Sequence, residues 1–171
     1  MGNMDENIFP KPLRYEAVCL PLTGAYFYDE LIADIEAARL NIYAIQYQWK
    51  WSSHERHSKV QRLGSAIIRA RSRGVGVNVL LNNESPSRNL AKINRITNDE
   101  LSRGGCTVRM LRTAGLLHTK LWVIDGRFSF IGSHNISSRA LGVNEEVSVK
   151  IESEKMAGFL LTYFNNLWES R

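Results

Sequence analysis

The stretch "LLHTKLWVIDGRFSFIGSHNISS", Leu116 to Ser138, sets a histidine and a lysine two residues apart in an otherwise apolar run. Its β-branched and aromatic residues predict a strand from Leu117 to Ile124, a turn at Asp125-Gly126 and a second strand from Phe128 to Ile131. Side chains alternate across a strand, so His118 and Lys120 share a face. Burying two such groups together is costly unless they have partners or a ligand.

His118 is the group here that can act as nucleophile or proton carrier near neutral pH. Lys120 offers a positive charge for an anionic oxygen. Gly132-Ser133-x-Asn135 follows the second strand and precedes a short helix expected to start near Ser137 or Ser138. Ser133 and Asn135 can donate hydrogen bonds to anionic oxygens, and Gly132 permits close backbone approach. Asp125, at the strand end, is placed to cap the turn into Gly126. Together these residues are equipment for holding a phosphate beside an imidazole.

Outward from this stretch, "YEAVCLPL" predicts a first strand, with a turn or loop at Pro21 to Gly24. Phe27, Leu31, Ile35 and Ala38 recur at helical spacing, and "NIYAIQYQW" is a β-branched and aromatic strand. Ser52 with Glu55 three residues later suggests a capping box opening a helix to about Arg73, closed by Gly74. "VGVNVLLNN" is the continuous apolar strand of a buried sheet. Ser85-Pro86 looks like an N-cap and first helical position, with a helix to about Ser102. "CTVRML" and "EVSVKI" are further strands, and Met156, Phe159, Leu160, Tyr163, Phe164 and Leu167 mark an amphipathic C-terminal helix. That helix lacks the basic polar face of a membrane-surface helix, so it is expected to pack on the core. The alternation predicts an α/β fold, with one mixed, mostly parallel sheet flanked by helices on both faces.

With 171 residues, 44% hydrophobic and 23% charged, the chain has the composition of a soluble globular protein. Residues 1–12 read as a lead-in and 13–171 as one domain, without internal repeat, low-complexity tract or linker. Cys19 and Cys106 are too few and too far apart for a disulfide framework or zinc site, which leaves two reduced thiols. The acidic N-terminus does not suit a signal peptide, and Glu at position 6 breaks the myristoylation pattern that Gly2 begins. No apolar run has the length of a membrane span, and a cytoplasmic location is expected.

The net charge of +5 is concentrated. Lys50 to Arg73 holds seven basic side chains and one acidic one, Glu55. Lys59, Arg62, Arg69 and Arg73 fall in a helical stripe about 80° wide, beside an apolar face of Val60, Leu63, Ile67 and Ala70. Such a stripe is either a solvated face or a phosphate-backbone contact. Trp49 and Trp51 just before it alternate at a strand end, where they would stack bases or acyl chains or else pack, including at a dimer interface. His54 and His57 at the helix entry read as solvated or capping residues, and His134 as a neighbour of the motif.

His118-x-Lys120-x4-Asp125 with Gly132-Ser133-x-Asn135 resembles the signature of the phospholipase D superfamily, six specified positions in eighteen residues. The resemblance is tight from His118 to Glu146 and looser elsewhere. A single motif is similar to the compact endonuclease and cardiolipin-hydrolase-like group, in which two subunits build one active site. The resemblance implies a homodimer and cofactor-free, metal-independent, two-step phosphodiester cleavage through a phosphohistidine. In it His118 attacks phosphorus, while His118 of the partner subunit protonates the leaving oxygen. Lys120 and Asn135 hold the non-bridging oxygens, Ser133 supports the phosphate, and Asp125 ties down the strand end. An acidic residue after the motif fixes the histidine tautomer; the Asn-x-Glu pattern at Asn144 selects Glu146, with Glu145 adjacent and facing the other side. The basic excess favours nucleic acid as substrate. The alternatives are an anionic phospholipid such as cardiolipin, or a catalytically silent nucleic-acid-binding module.

Overall fold

The computed structural model describes residues 10–51, 54–55, 57–83, 88–113 and 115–170. The elements run β1 (Val18–Thr23), α1 (Ala25–Ala37), β2 (Asn41–Gln46), α2 (Lys59–Ser72), β3 (Gly76–Asn82), α3 (Arg88–Arg103), β4 (Thr107–Leu111), β5 (Lys120–Ile124), β6 (Phe128–Gly132), β7 (Val147–Glu152) and α4 (Glu154–Glu169). They form one seven-stranded mixed sheet in the order β1-β7-β6-β5-β2-β3-β4.

The α/β architecture holds, but the expectation of a mostly parallel sheet does not. Only β2–β3 and β3–β4 are parallel; the other four pairings are antiparallel. Parallel neighbours need a long crossover, and α2 and α3 supply it only for these two steps. The β4–β5 connection carries no helix among its described residues and returns the chain antiparallel beside β2. A hairpin then makes β6.

Strand alternation sorts the core into two layers. Ile42 and Ala44 of β2, Val77, Val79 and Leu81 of β3, and Trp122 and Ile124 of β5 pack with α1, α2 and Leu101 of α3. Ile45, Leu80, Leu121 and Val123 point the other way, into the apolar face of α4. The C-terminal helix is therefore a core element, as its stripe predicted.

Several local expectations shift. The strand at "YEAVCLPL" continues through Pro21 to Thr23, so the turn begins at Gly24 rather than Pro21. Proline is tolerated there because β1 is an edge strand and lacks a neighbour on one side. Helix α2 starts at Lys59 with Ser58 as N-cap, accepting from the Gln61 amide at 3.2 Å. Ser52 of the expected capping box lies outside the described residues, and Glu55 instead accepts from Ser138 Oγ at 2.8 Å. Ser85-Pro86 also lies outside them. After Asn135 the chain forms successive turns, pinned by Ala140 N–H to Ser137 Oγ, in place of a short helix. No helix among the described residues is long and apolar enough to cross a membrane.

The β5–β6 turn is held from outside. Asp125 and Gly126 both have positive φ, 52° and 61°. The Asp125 carboxylate accepts the backbone N–H groups of Arg39, Leu40 and Asn41 at 2.9, 2.8 and 3.0 Å. This clamp joins the turn to the start of β2. We expect Asp125→Ala to lower the unfolding free energy by about 2 kcal/mol in urea denaturation, since hydrogen bonds to an ionised acceptor are lost together. A change below about 0.5 kcal/mol would contradict the clamp.

Candidate active site

The motif residues other than Asp125 converge at one end of the sheet, where β2 and β6 finish and β5 and β7 begin. Gln46 of β2 pairs with Lys120 of β5, and Gly132 of β6 pairs with Ser148 of β7. Ligands of open α/β sheets gather at such strand ends. His118 lies two residues before β5 rather than within it, and its side chain is exposed. The expected shared direction is nevertheless present. Lys120 Nζ lies 3.1 Å from both ring nitrogens of His118 and donates to the His118 carbonyl at 2.7 Å.

Lys120 is buried, with 7% of its surface exposed. Its ammonium sits 4.9 Å from the centroid of the Tyr47 ring, which also packs against His118 at 4.5 Å. Burial lowers the Lys120 pKa to about 8, opposed by the charge of Glu146. Burial and then the Lys120 charge push the His118 imidazole below its ordinary value. Near neutral pH the ring is therefore mostly unprotonated, the state in which a nitrogen lone pair is nucleophilic.

The Gly132-Ser133-x-Asn135 segment is fixed by contacts the sequence did not disclose. A Cβ on Gly132 would fall onto Ser148, so the glycine serves close approach of β6 to β7. Ser133 Oγ donates to Glu146, and the Val147 amide donates back to Ser133 Oγ at 3.1 Å. Asn144 Nδ2 also donates to Glu146, at 3.2 Å. The structure thus brings Glu146, not Glu145, into the cluster. Glu146 reaches Ser133 rather than the His118 ring, and no hydrogen bond joins Glu146 to His118 among the described residues.

His134 is more than a neighbour. It is fully buried, stacked on Phe27 at 4.2 Å, with Nδ1 2.7 Å from Ser148 Oγ and Nε2 3.2 Å from the Gly24 carbonyl. A carbonyl only accepts, so Nε2 carries the hydrogen and Nδ1 accepts from the serine. Burial lowers its pKa, in keeping with a neutral ring. This histidine locks the motif loop to the start of α1.

On the other side, Ile136 N–H donates to the Gln48 carbonyl at 2.9 Å and Lys50 N–H to the Ile136 carbonyl at 2.7 Å. That segment is itself held by α3. Asn94 accepts from the Trp49 amide at 2.9 Å and donates to the Tyr47 and Asn82 carbonyls at 2.8 Å, and Thr97 accepts from the Trp51 amide. Leu90, Asn94, Thr97 and Leu101 follow helical spacing, so polar residues on a buried stripe were the available signal.

Three sequence expectations are displaced. Asp125 sits at the opposite end of β5 from Lys120, so it belongs to the clamp and not to the site. Trp49 has no exposed surface and packs on Trp122 at 5.5 Å, while the Trp51 ring covers Gly64 of α2; the first is core and the second helix packing. The basic stripe faces α1. Lys59 Nζ donates to the Leu141 carbonyl at 3.0 Å, Arg69 pairs with Glu36, and Arg73 donates to the Ile35 and Glu36 carbonyls. The acidic counterpart lay on a different helix. Arg62 is exposed, and Arg73 lies at the end of the sheet away from His118.

Residues 31–168 match the family model described as cardiolipin synthase, PLD-like domain. Cardiolipin synthase A of Proteus mirabilis is 35% identical over 98 residues, 57% of this chain and 20% of that protein. Its counterpart in Citrobacter koseri is 33% identical over 95 residues, 56% of this chain and 19% of the relative. The chain thus spans about a fifth of the length of these relatives. Among solved structures, the phospholipase D family member Nuc from Salmonella typhimurium matches with TM-score 0.72 and 18% identity over 88% of this chain and 95% of Nuc. NucT from Helicobacter pylori matches with TM-score 0.71 and 20% identity over 91% of this chain and 98% of NucT. The chain belongs to the phospholipase D superfamily.

An NMR titration of the His118 ring tests the electrostatics. The midpoint should fall below the ordinary histidine value of about 6.5. Lys120→Gln should move it upward without restoring it fully, because burial remains the larger cause. An unchanged midpoint would remove the Lys120 charge from the argument.

Proposed function

We propose that this protein is a metal-independent phosphodiesterase acting through a phosphohistidine, at a site completed by a second copy of the chain. The observation that carries the reading is the His118 imidazole held 3.1 Å from the buried Lys120 ammonium, which makes no ion pair among the described residues. Beside that pair lie the donors of the Gly132-Ser133-x-Asn135 loop.

In the first step a His118 ring nitrogen attacks phosphorus and the bond to the leaving oxygen breaks. That oxygen takes a proton from His118 of the partner subunit. Water then attacks the phosphohistidine, gives its proton to that same partner imidazole, and the P–N bond breaks to restore neutral His118. Lys120 and Asn135 hold the non-bridging oxygens as charge shifts onto them. Ser133, oriented by Glu146, supports the phosphate. Two identical imidazoles brought together around one phosphate titrate as a coupled pair, so one is neutral while its twin is protonated.

The need for a second imidazole supports the dimer. Within one chain, the nearest histidine in sequence, His134, is buried and occupied by Ser148 and Gly24, so it is not free to serve as the acid. A lysine, a serine, an asparagine and a single carboxylate are an anion-binding set, unlike the carboxylate and histidine clusters that hold divalent ions.

For the substrate we infer nucleic acid, supported by the basic balance (pI about 9.4) and by exposed Lys50 and Arg139 flanking the motif loop. Transfer or hydrolysis of an anionic phospholipid is the second reading, favoured by the cardiolipin synthase relatives.

Labelled single- and double-stranded oligonucleotides and labelled cardiolipin vesicles, each with excess EDTA, separate the two. Cleavage of oligonucleotides in chelator is the expected result, and turnover of the lipid alone would assign the second reading. His118→Asn should fold and dimerise yet lose at least about a thousandfold in rate, because nucleophile and acid go together. Loss of wild-type activity in EDTA, restored by magnesium or zinc, would contradict the mechanism. So would a monomer by light scattering that keeps full specific activity on dilution.

A further inference from the structure

On residues close to Lys120 in the sheet, several buried polar atoms have no hydrogen-bond partner among the described residues: Gln46 Nε2 and Oε1, Trp49 Nε1, Trp122 Nε1 and Asn135 Oδ1. They are neighbours by topology. Gln46 is opposite Lys120, and Trp122 is opposite Ala44, so Gln46 and Trp122 are diagonal neighbours on one face of adjacent strands. The Trp49 and Trp122 rings are 5.5 Å apart, and Trp49 forms a parallel bridge with Ile136, the residue after Asn135. Gln46 and Trp49 have no exposed surface, and Trp122 has 1%.

Buried polar atoms left without partners are costly, so five on neighbouring residues call for an occupant. The group consists of donors (one amide and two indole nitrogens) and acceptors (two amide oxygens), which calls for a partner that both donates and accepts. Water both donates and accepts, and buried polar cavities hold it routinely.

We propose that Gln46, Trp49, Trp122 and Asn135 enclose an ordered-water site under the reactive pair, and that Gln46 is a positioning residue acting through this water on Asn135. Asn135 must offer its Nδ2 hydrogens to an anionic oxygen. That requires Oδ1 to be turned inward and held by a donor, because a flipped amide would aim its lone pairs at the phosphate. Gln46 organises the water that donates to Asn135 Oδ1 while itself accepting from the same cluster. Gln46 therefore controls which end of the Asn135 amide faces the substrate.

The role of Gln46 rests on the phosphodiesterase reading, whereas the water site does not. Two measurements keep them apart. The first is a high-resolution crystal structure of the wild-type protein, in which ordered water should bond both Gln46 and Asn135 Oδ1. Direct side-chain bonds that satisfy these groups with no water between them would overturn the proposal, whatever the enzyme does. The second is kinetics on bis(p-nitrophenyl) phosphate with Gln46→Leu, which removes the donor and acceptor at similar volume. We expect kcat to fall by about tenfold to a hundredfold with KM changed less than about twofold, since misplacing one oxyanion donor acts on the transition state. If that variant does not fold, Gln46→Met gives the same reading with a side chain of equal length. Unchanged kcat together with a raised Tm would show Gln46 to be a strained polar group without a positioning role, and would overturn the proposal. Wild-type inactivity on every phosphodiester would sink the enzymatic reading, and the crystallographic arm would still decide the water site.

Discussion

The structure depends on a buried ammonium that pairs with no carboxylate among the described residues. Lys120 is 7% exposed at the end of a central strand, yet its contacts are the His118 ring and carbonyl and the face of Tyr47. An isolated buried charge is among the costliest features a fold can retain, and its lowered pKa, about 8, is one expression of that cost. Glu146 is near enough to raise the Lys120 pKa but bonds Ser133 and Asn144 instead. In the proposed reaction the ammonium waits for an anion from outside, and burial together with its charge pushes the imidazole beside it below the ordinary histidine pKa.

Holding that arrangement takes support from elements distant in sequence. Asp125 fastens one end of the β5–β6 hairpin to the start of β2 through three backbone donors. At the other end, His134 ties the motif loop to α1, and Asn94 and Thr97 of α3 hold the segment that pairs with Ile136. A cluster made of a strand end, a loop and a second strand start has little rigidity of its own. The surrounding polar clamps supply it.

Much of this was legible in the sequence because local rules governed it. The positive-φ turn at Asp125-Gly126, the apolar run of β3, the stripe of α4 and the motif itself depend on residues close together in the chain. What the sequence concealed depends on tertiary partners. The sign of the α2 stripe was visible, but Glu36, which neutralises Arg69, comes from another helix. Trp49 follows a strand and could be solvent-facing by position; only the packing of Trp122 and Ile136 buries it. The antiparallel return of β5 was hidden because a loop without a helix does not announce which neighbour the next strand will join. The sequence pattern picked Glu146 to orient His118, whereas its carboxylate bonds Ser133 and Asn144, partners that only the fold brings to it.

The central claim is that His118 is the covalent nucleophile of a site shared by two chains. Rapid quench of the wild-type protein with a p-nitrophenyl phosphodiester, in alkali to preserve phosphohistidine, followed by peptide mass spectrometry, tests it directly. The account predicts a phosphoryl adduct on the peptide that carries His118, with half-of-the-sites labelling and a matching burst of p-nitrophenol. Sustained turnover with no adduct at His118, or an adduct on every chain at once, would contradict it.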